Sequence, residues 1–242
     1  MSLTPERVRL ALDQAGLSDY LTQDSIDSLL RFIPSMLQVN ENLNLTKWTQ
    51  DEDLLTYHLL DSAASLPLLK PLIKPSHLWM DLGTGCGFPG VVLAAAFPGL
   101  GVTLMDSVAK KTKALGDCLQ KTGWNVKVLT GRAEDLGRDL RYRETWNGVT
   151  ARAVADFRVV LEYGIPLLKT GGYLVNWFTE EQLKIVDKSQ KALELLRCQV
   201  VKKLEYFLPG LTQKRWLVLV EKLGETSKNY PRLPGKASKD PL

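Results

Sequence analysis

One stretch limits the possible folds of this chain more than any other. It is an apolar run of strand length, His77-Leu78-Trp79-Met80-Asp81-Leu82, that leads directly into Gly83-Thr84-Gly85-Cys86-Gly87-Phe88-Pro89-Gly90. Glycines at alternate positions let a backbone take left-handed φ values and approach a ligand closely. A helix starting there offers its unpaired N–H groups. Strand, glycine loop and helix open a doubly wound sheet, and the rest of the chain continues the alternation. Helices are expected at Gly90 to Phe97, at Ala109 to Lys121 with Gly123 as cap, and at Phe157 to Leu168. Strands are expected at Val102 to Asp106, Asn125 to Thr130, Trp146 to Ala151 and Tyr173 to Phe178. This order calls for a parallel sheet covered by helices on both faces. A helix from Glu180 to Leu196 precedes two last strands, about Gln199 to Phe207 and Lys214 to Lys222, whose short connection predicts antiparallel pairing. The fold class is therefore α/β: a Rossmann-like sheet, mostly parallel, with a C-terminal antiparallel strand.

Three regions follow. Residues 1–70 read as a helical extension without strand-like alternation. Thr4-Pro5-Glu6 is a helix start, a second helix runs from about Thr22 to Val39 with Pro34 expected to kink or end it, and a third spans about Asp51 to Leu69. Residues 71–223 form the sheet domain. Residues 224–242, rich in Lys, Pro and Gly, read as an extended basic tail. Charge is uneven: residues 1–60 carry four basic and nine acidic residues, and the remainder 27 basic and 18 acidic, an excess that attracts polyanions. No segment reads as a membrane span or a signal peptide, so a soluble cytoplasmic protein, acting as a monomer, is expected. Cys86, Cys118 and Cys198 are far apart and show no metal-ligand spacing, and no metal is expected.

Two cofactors suit the glycine loop. Gly85-x-Gly87-x-x-Gly90 matches the dinucleotide pattern literally, though three glycines in six positions arise easily by chance. S-adenosylmethionine fits better. Asp81 at the strand end offers a carboxylate to its ammonium, directly or through water. Asp106 closes the next strand where ribose hydroxyls are expected. Arg132-Ala133-Glu134-Asp135, after the third strand, is in place to read an adenine edge. An antiparallel last pair of strands also suits a class I methyltransferase better than a dehydrogenase.

Several blocks together resemble the RsmG (GidB) family, whose members methylate N7 of a guanine in 16S ribosomal RNA of the small subunit. They are Asn42-Leu43-Asn44-Leu45-Thr46, His58-Leu59-Leu60-Asp61-Ser62, the loop Asp81 to Gly90, and Asp106-Ser107 with Lys110-Lys111. Arg132-Ala133-Glu134, Ala151-Arg152-Ala153, and the terminal Asn229 to Gly235 with Lys239-Asp240-Pro241-Leu242 complete the set. The resemblance covers most of the chain in order. It implies S-adenosylmethionine as cofactor, held by Gly83, Phe88, Asp106, Ala133, Glu134 and Arg152, beside Asp81, Gly85 and Gly87 read from the loop itself. It also implies 16S RNA, or the small ribosomal subunit, as partner. Phe178-Thr179 stands where the family often has Lys-Gly.

N7 of guanine carries no proton, so its methylation needs no general base. The chain accordingly lacks the Asp/Asn-Pro-Pro-Tyr/Phe motif of exocyclic amine methylation and the Pro-Cys nucleophile of C5 methylation. Positioning is the expected source of rate, with Arg152 the candidate catalytic residue. His58 and Asp61 read primarily as an i,i+3 pair docking the N-terminal helices. Arg132, Lys228, Arg232 and Lys236 are the candidate RNA-binding residues, within two basic groups expected to flank the site. The alternatives are a class I methyltransferase acting on a small molecule or protein, and a catalytically inactive RNA-binding relative.

Overall fold

The computed structural model describes residues 3–122, 124 and 126–242. The expected cap Gly123 and the strand start at Asn125 lie outside them. Seven strands form one sheet: β1 (Leu78–Leu82), β2 (Gly101–Asp106), β3 (Lys127–Thr130), β4 (Trp146–Ala151), β5 (Leu168–Thr179), β6 (Cys198–Tyr206) and β7 (Arg215–Lys222). Their order is β3-β2-β1-β4-β5-β7-β6. Pairs from β3 to β5 are parallel, while β7 runs antiparallel to both β5 and β6. The α/β class is therefore as expected: a mostly parallel sheet with one reversed strand. The chain winds outward in opposite directions from β1, and the carboxyl ends of β1 and β4 form the crevice where such sheets bind ligands.

Alternation in β1 shows how the sheet divides the core. Trp79 joins a buried cluster with Leu29, Phe32, Val91, Leu104 and Leu115. Met80 and Leu82 join Met105, Val149, Phe157 and Leu174 on the opposite face. The N-terminal helices cover the first face together with helices Gly90–Ala96 and Ala109–Lys121.

The helix Gln23–Leu43 does not end at Pro34 but continues past it. Pro34 lies on the exposed face, where water can satisfy the carbonyl it leaves unpaired, while Phe32, Ile33 and Met36 are buried beside it. The third helical segment contains a π-helical stretch, Leu54–Leu60, of the kind that often marks functional sites and that here carries His58. β5 extends back to Leu168, further than its apolar core indicates. The expected helix from Glu180 to Leu196 is two helices, Glu180–Asp187 and Gln190–Leu196. Among the described residues no helix is long and apolar enough to cross a membrane.

The tail was expected to be extended, and it is instead a strap. Arg143 donates to the carbonyls of Thr226 and Tyr230 at 2.6 and 2.8 Å, and Arg138 to that of Pro231 at 2.8 Å. The Arg232 guanidinium grips the buried Glu162 through both carboxylate oxygens, at 2.9 and 2.7 Å. A polar segment without periodicity still docks when buried carboxylates and arginines of the core supply partners for its backbone.

Candidate functional site

The loop after β1 is clamped from inside. Asp81, 1% exposed, accepts from Thr84 Oγ1 at 2.6 Å, Gly90 N at 3.1 Å and Thr150 Oγ1 at 2.8 Å. Burial pushes its carboxyl up to about 6 against the pull of those three donors. Asp81 thus ties loop, helix start and β4 together from behind the cavity wall. Gly83 and Gly85 both adopt left-handed φ values, +68° and +56°. A Cβ at Gly83 would stand 2.8 Å from Val154, whereas one at Gly85 would meet only the Leu45 carbonyl at 3.7 Å and otherwise point into open space. Gly87 is also left-handed, but its neighbours are core side chains.

Beside this loop opens a cavity of about 900 Å³, with Gly83, Gly85, Phe88 and Arg152 in its wall. The wall opposite the sheet comes from the N-terminal extension, and one hydrogen-bonded network holds it. Asp61, 2% exposed, accepts from Arg152 Nη1 at 2.8 Å, Arg215 Nη1 at 3.0 Å and the Tyr206 hydroxyl at 2.6 Å. Its backbone carbonyl takes the Trp177 indole N–H at 2.9 Å. Arg152 also donates to the Tyr57 carbonyl at 2.8 Å and lies 3.2 Å from His58 Nδ1. His58 Nε2 faces Thr46 Oγ1 at 2.8 Å, and its ring stacks on Phe88 at 4.9 Å. Burial, and secondarily the Arg152 charge, lower the His58 pKa to about 3. The ring is therefore neutral, which suits Nδ1 as acceptor for Arg152 and Nε2–H as donor to Thr46.

This pair does more than dock helices. His58 and Asp61 line the cavity and fix the guanidinium of Arg152, joining residues far apart in sequence. One carboxylate against two arginines leaves an excess positive charge in the wall. Arg152 itself leaves the end of β4 just before Ala153, whose φ of +57° turns the chain.

The remaining candidate cofactor residues lie along the neighbouring strand ends. The Asp106 carboxylate, at the end of β2, accepts from Gly85 N at 3.2 Å and Val108 N at 3.0 Å. Ala133 and Glu134 begin the short helix after β3, and β3 pairs with β2 so that Thr130 lies beside Asp106. Both are buried, and Glu134 is held between Arg132 Nη2 at 2.8 Å and Gly235 N at 2.9 Å. A ligand crossing the loop at Gly85 would run from the cavity to this edge.

None of the candidate RNA-binding residues Arg132, Lys228, Arg232 and Lys236 lines the cavity. Arg132 pairs with Glu134, Arg232 with Glu162 and Lys236 with Asp240, while Lys228 is exposed on the tail. The basic residues at the cavity are Lys47, Arg152, Lys184, Lys188 and Arg215. The sequence signal for the first was Lys47-Trp48, a cation beside an aromatic in a loop. Phe178, at the family's lysine position, packs edge-on against Phe157 at 5.4 Å, and Thr179 caps the next helix in a capping box with Gln182.

The family described as rRNA small subunit methyltransferase G matches residues 25–214 of this chain. The chain belongs to that family. Among relatives named Ribosomal RNA small subunit methyltransferase G, that of Lactobacillus helveticus is 37% identical, over 99% of this chain and 100% of its own length. That of Acetivibrio thermocellus is 36% identical, over 94% of this chain and 93% of its own length. Solved structures share the fold. The fibrillarin pre-rRNA processing protein of Methanococcus jannaschii superposes with a TM-score of 0.51 at 15% identity, covering 64% of this chain and 70% of its own. The [4+2]-cyclase SpnF does so with a TM-score of 0.51 at 14% identity, covering 69% of this chain and 83% of its own.

Proposed function

We propose that the protein transfers the methyl group of S-adenosylmethionine to N7 of a guanine in 16S ribosomal RNA of the small subunit. The reading is carried by one coincidence. A cavity with a cationic wall opens beside the loop Gly83–Gly85 and the Asp106 edge, in a chain alike along its whole length to relatives named for small-subunit rRNA methyl transfer.

The residues present suit this cofactor. The open side of Gly85 gives a close approach to backbone, Asp106 offers a partly exposed carboxylate for hydroxyl donors, and Phe88 presents an apolar ring. S-adenosylmethionine, when bound, supplies a methyl group on a sulfonium centre. The protein's part is to orient the base against it. Orientation is a large source of rate when the nucleophile already carries a free lone pair. The buried titratable groups of the wall support a reaction without proton abstraction. Both nitrogens of His58 are engaged, and Asp61 is occupied by two arginines and a tyrosine. The excess positive charge of this wall favours a polyanionic substrate.

The test uses 16S RNA and small subunits from cells lacking this protein, incubated with the purified chain and methyl-labelled S-adenosylmethionine. Nuclease digestion and mass analysis should find one 7-methylguanosine that is missing from untreated RNA. Label on another base, or none on either substrate, overturns the proposal.

A further inference from the structure

We infer that Trp48 and Tyr57 form a stacking platform for an unpaired RNA base at the mouth of the cavity, an inference that rests on the RNA reading above. Four cavity-lining side chains make a column. Lys47 Nζ stands 4.4 Å from the Trp48 ring centroid, Trp48 stacks on Tyr57 at 4.3 Å and 21°, and Arg215 Cζ lies 5.5 Å from the Tyr57 centroid. The two rings are half-buried, and Lys47 is exposed.

The inner end of this column is anchored. Arg215 is held by the buried Asp61, and the backbone carbonyl of Tyr57 accepts from Arg152. The loop carrying Trp48 is held as well. Thr46 N donates to Asn40 Oδ1 at 2.7 Å, and Trp48 N donates to Thr46 Oγ1 at 3.0 Å, the hydroxyl that also meets His58. Both sequence blocks of the N-terminal extension, around residues 42–46 and 58–62, thus converge on placing one aromatic pair.

Lys47 at the outer end is the displaceable member. An exposed cation–π contact is worth about 2- to 5-fold in an equilibrium constant. A nucleobase stacked on an aromatic ring is worth about 5- to 150-fold. A base therefore displaces the ammonium from Trp48, and the released lysine is in reach of the attached phosphate. A base inside a duplex has no free face to offer, so the platform selects RNA with an unpaired nucleotide beside the target.

The test measures fluorescence anisotropy of a short unstructured fluorescein-labelled RNA, alone and annealed to its complement. Trp48→Ala should weaken single-strand binding by about 5- to 150-fold, Trp48→Phe should recover most of it, and duplex affinity should hold within about 2-fold. In methyl transfer to 16S RNA, the loss should fall on KM. Unchanged single-strand affinity in Trp48→Ala overturns the platform, as does an equal loss on single strand and duplex. A wild-type chain that transfers no methyl to 16S RNA, either free or in the small subunit, overturns the functional reading, whereas the anisotropy decides the platform separately.

Discussion

His58 gives the sharpest test of the wall, because its environment can be read as a pH dependence. Burial and Arg152 lower its pKa from 6.5 to about 3. A depressed histidine contributes stability that is present above 6.5 and is lost as pH falls toward 3, since the unfolded chain takes up the proton first. Between pH 7 and pH 5 the linkage relation gives a loss of about 2 kcal/mol. Asp81 works in the opposite direction. Its carboxyl, pushed up to about 6 from 3.8, contributes stability that is full below 3.8 and lost as pH rises through 6. Over the same pH interval it returns about 1 kcal/mol on acidification. The two groups nearly cancel in the wild type, so the informative quantity is a difference. His58→Gln removes the titration and leaves Asp81 in place. From pH 7 to pH 5, the gap in melting temperature between wild type and His58→Gln should move by about 4–8 °C in favour of the variant, for a chain of this size. Thermal melts of both proteins at each pH measure it. Parallel pH profiles would refute the claim that His58 is held neutral between Arg152 and Thr46.

Three further outcomes are expected. Gly85→Val should abolish cofactor binding in calorimetry while far-ultraviolet circular dichroism is retained, because its side chain meets no core atom but enters the cavity side at a φ of +56°; normal affinity would remove the loop from the cofactor site. Asp106→Ala should weaken cofactor binding by about 1–3 kcal/mol, the range for a charge-assisted hydrogen bond; loss of melting temperature alone would make Asp106 a cap on Gly85 and Val108. Arg232→Ala strands the buried Glu162 and should destabilise the chain by about 3–5 kcal/mol in denaturant unfolding, whereas a changed RNA salt slope at unchanged stability would restore the tail as a phosphate clamp.

The fold was legible where local chemistry decides it. The strand–glycine–helix unit at 78–96 and the helix Ala109–Lys121 follow from residues adjacent in sequence. Where distant partners decide, the pattern was silent. β5 reaches back to Leu168 because that residue pairs with Trp146 of β4 across the irregular Gly171-Gly172 turn. The break at Lys188-Ser189 has no Gly or Pro to announce it; the Ser189 hydroxyl instead bonds back to the Ile185 carbonyl at 2.7 Å. In the candidate site, Gly83, Gly85 and Asp106 could be picked out because a turn and a strand end carry their own signatures. Asp61 was visible only as a helix neighbour of His58, since its partners Arg152, Tyr206 and Arg215 stand on three other segments. The arginines of the 130s and 140s looked available because nothing in sequence shows that the tail returns to them.

The Asp61 network is difficult to justify as a source of stability. Buried ion pairs recover their desolvation cost poorly, and a well-packed apolar cluster can be equally stable. What this arrangement supplies is position. Arg152 comes from β4, Arg215 from β7, Tyr206 from β6 and Asp61 from the N-terminal extension, so one carboxylate joins the ends of three strands to a helical wall. A reaction that asks only for alignment between a base and a methyl donor gains most from walls that do not shift relative to each other, since small displacements of the reacting atoms are costly in rate. The sheet alone provides one wall. The helical extension provides the second, and Asp61 fixes the spacing between them, which explains why a helix that could have been held by leucines carries a buried charge at the cavity.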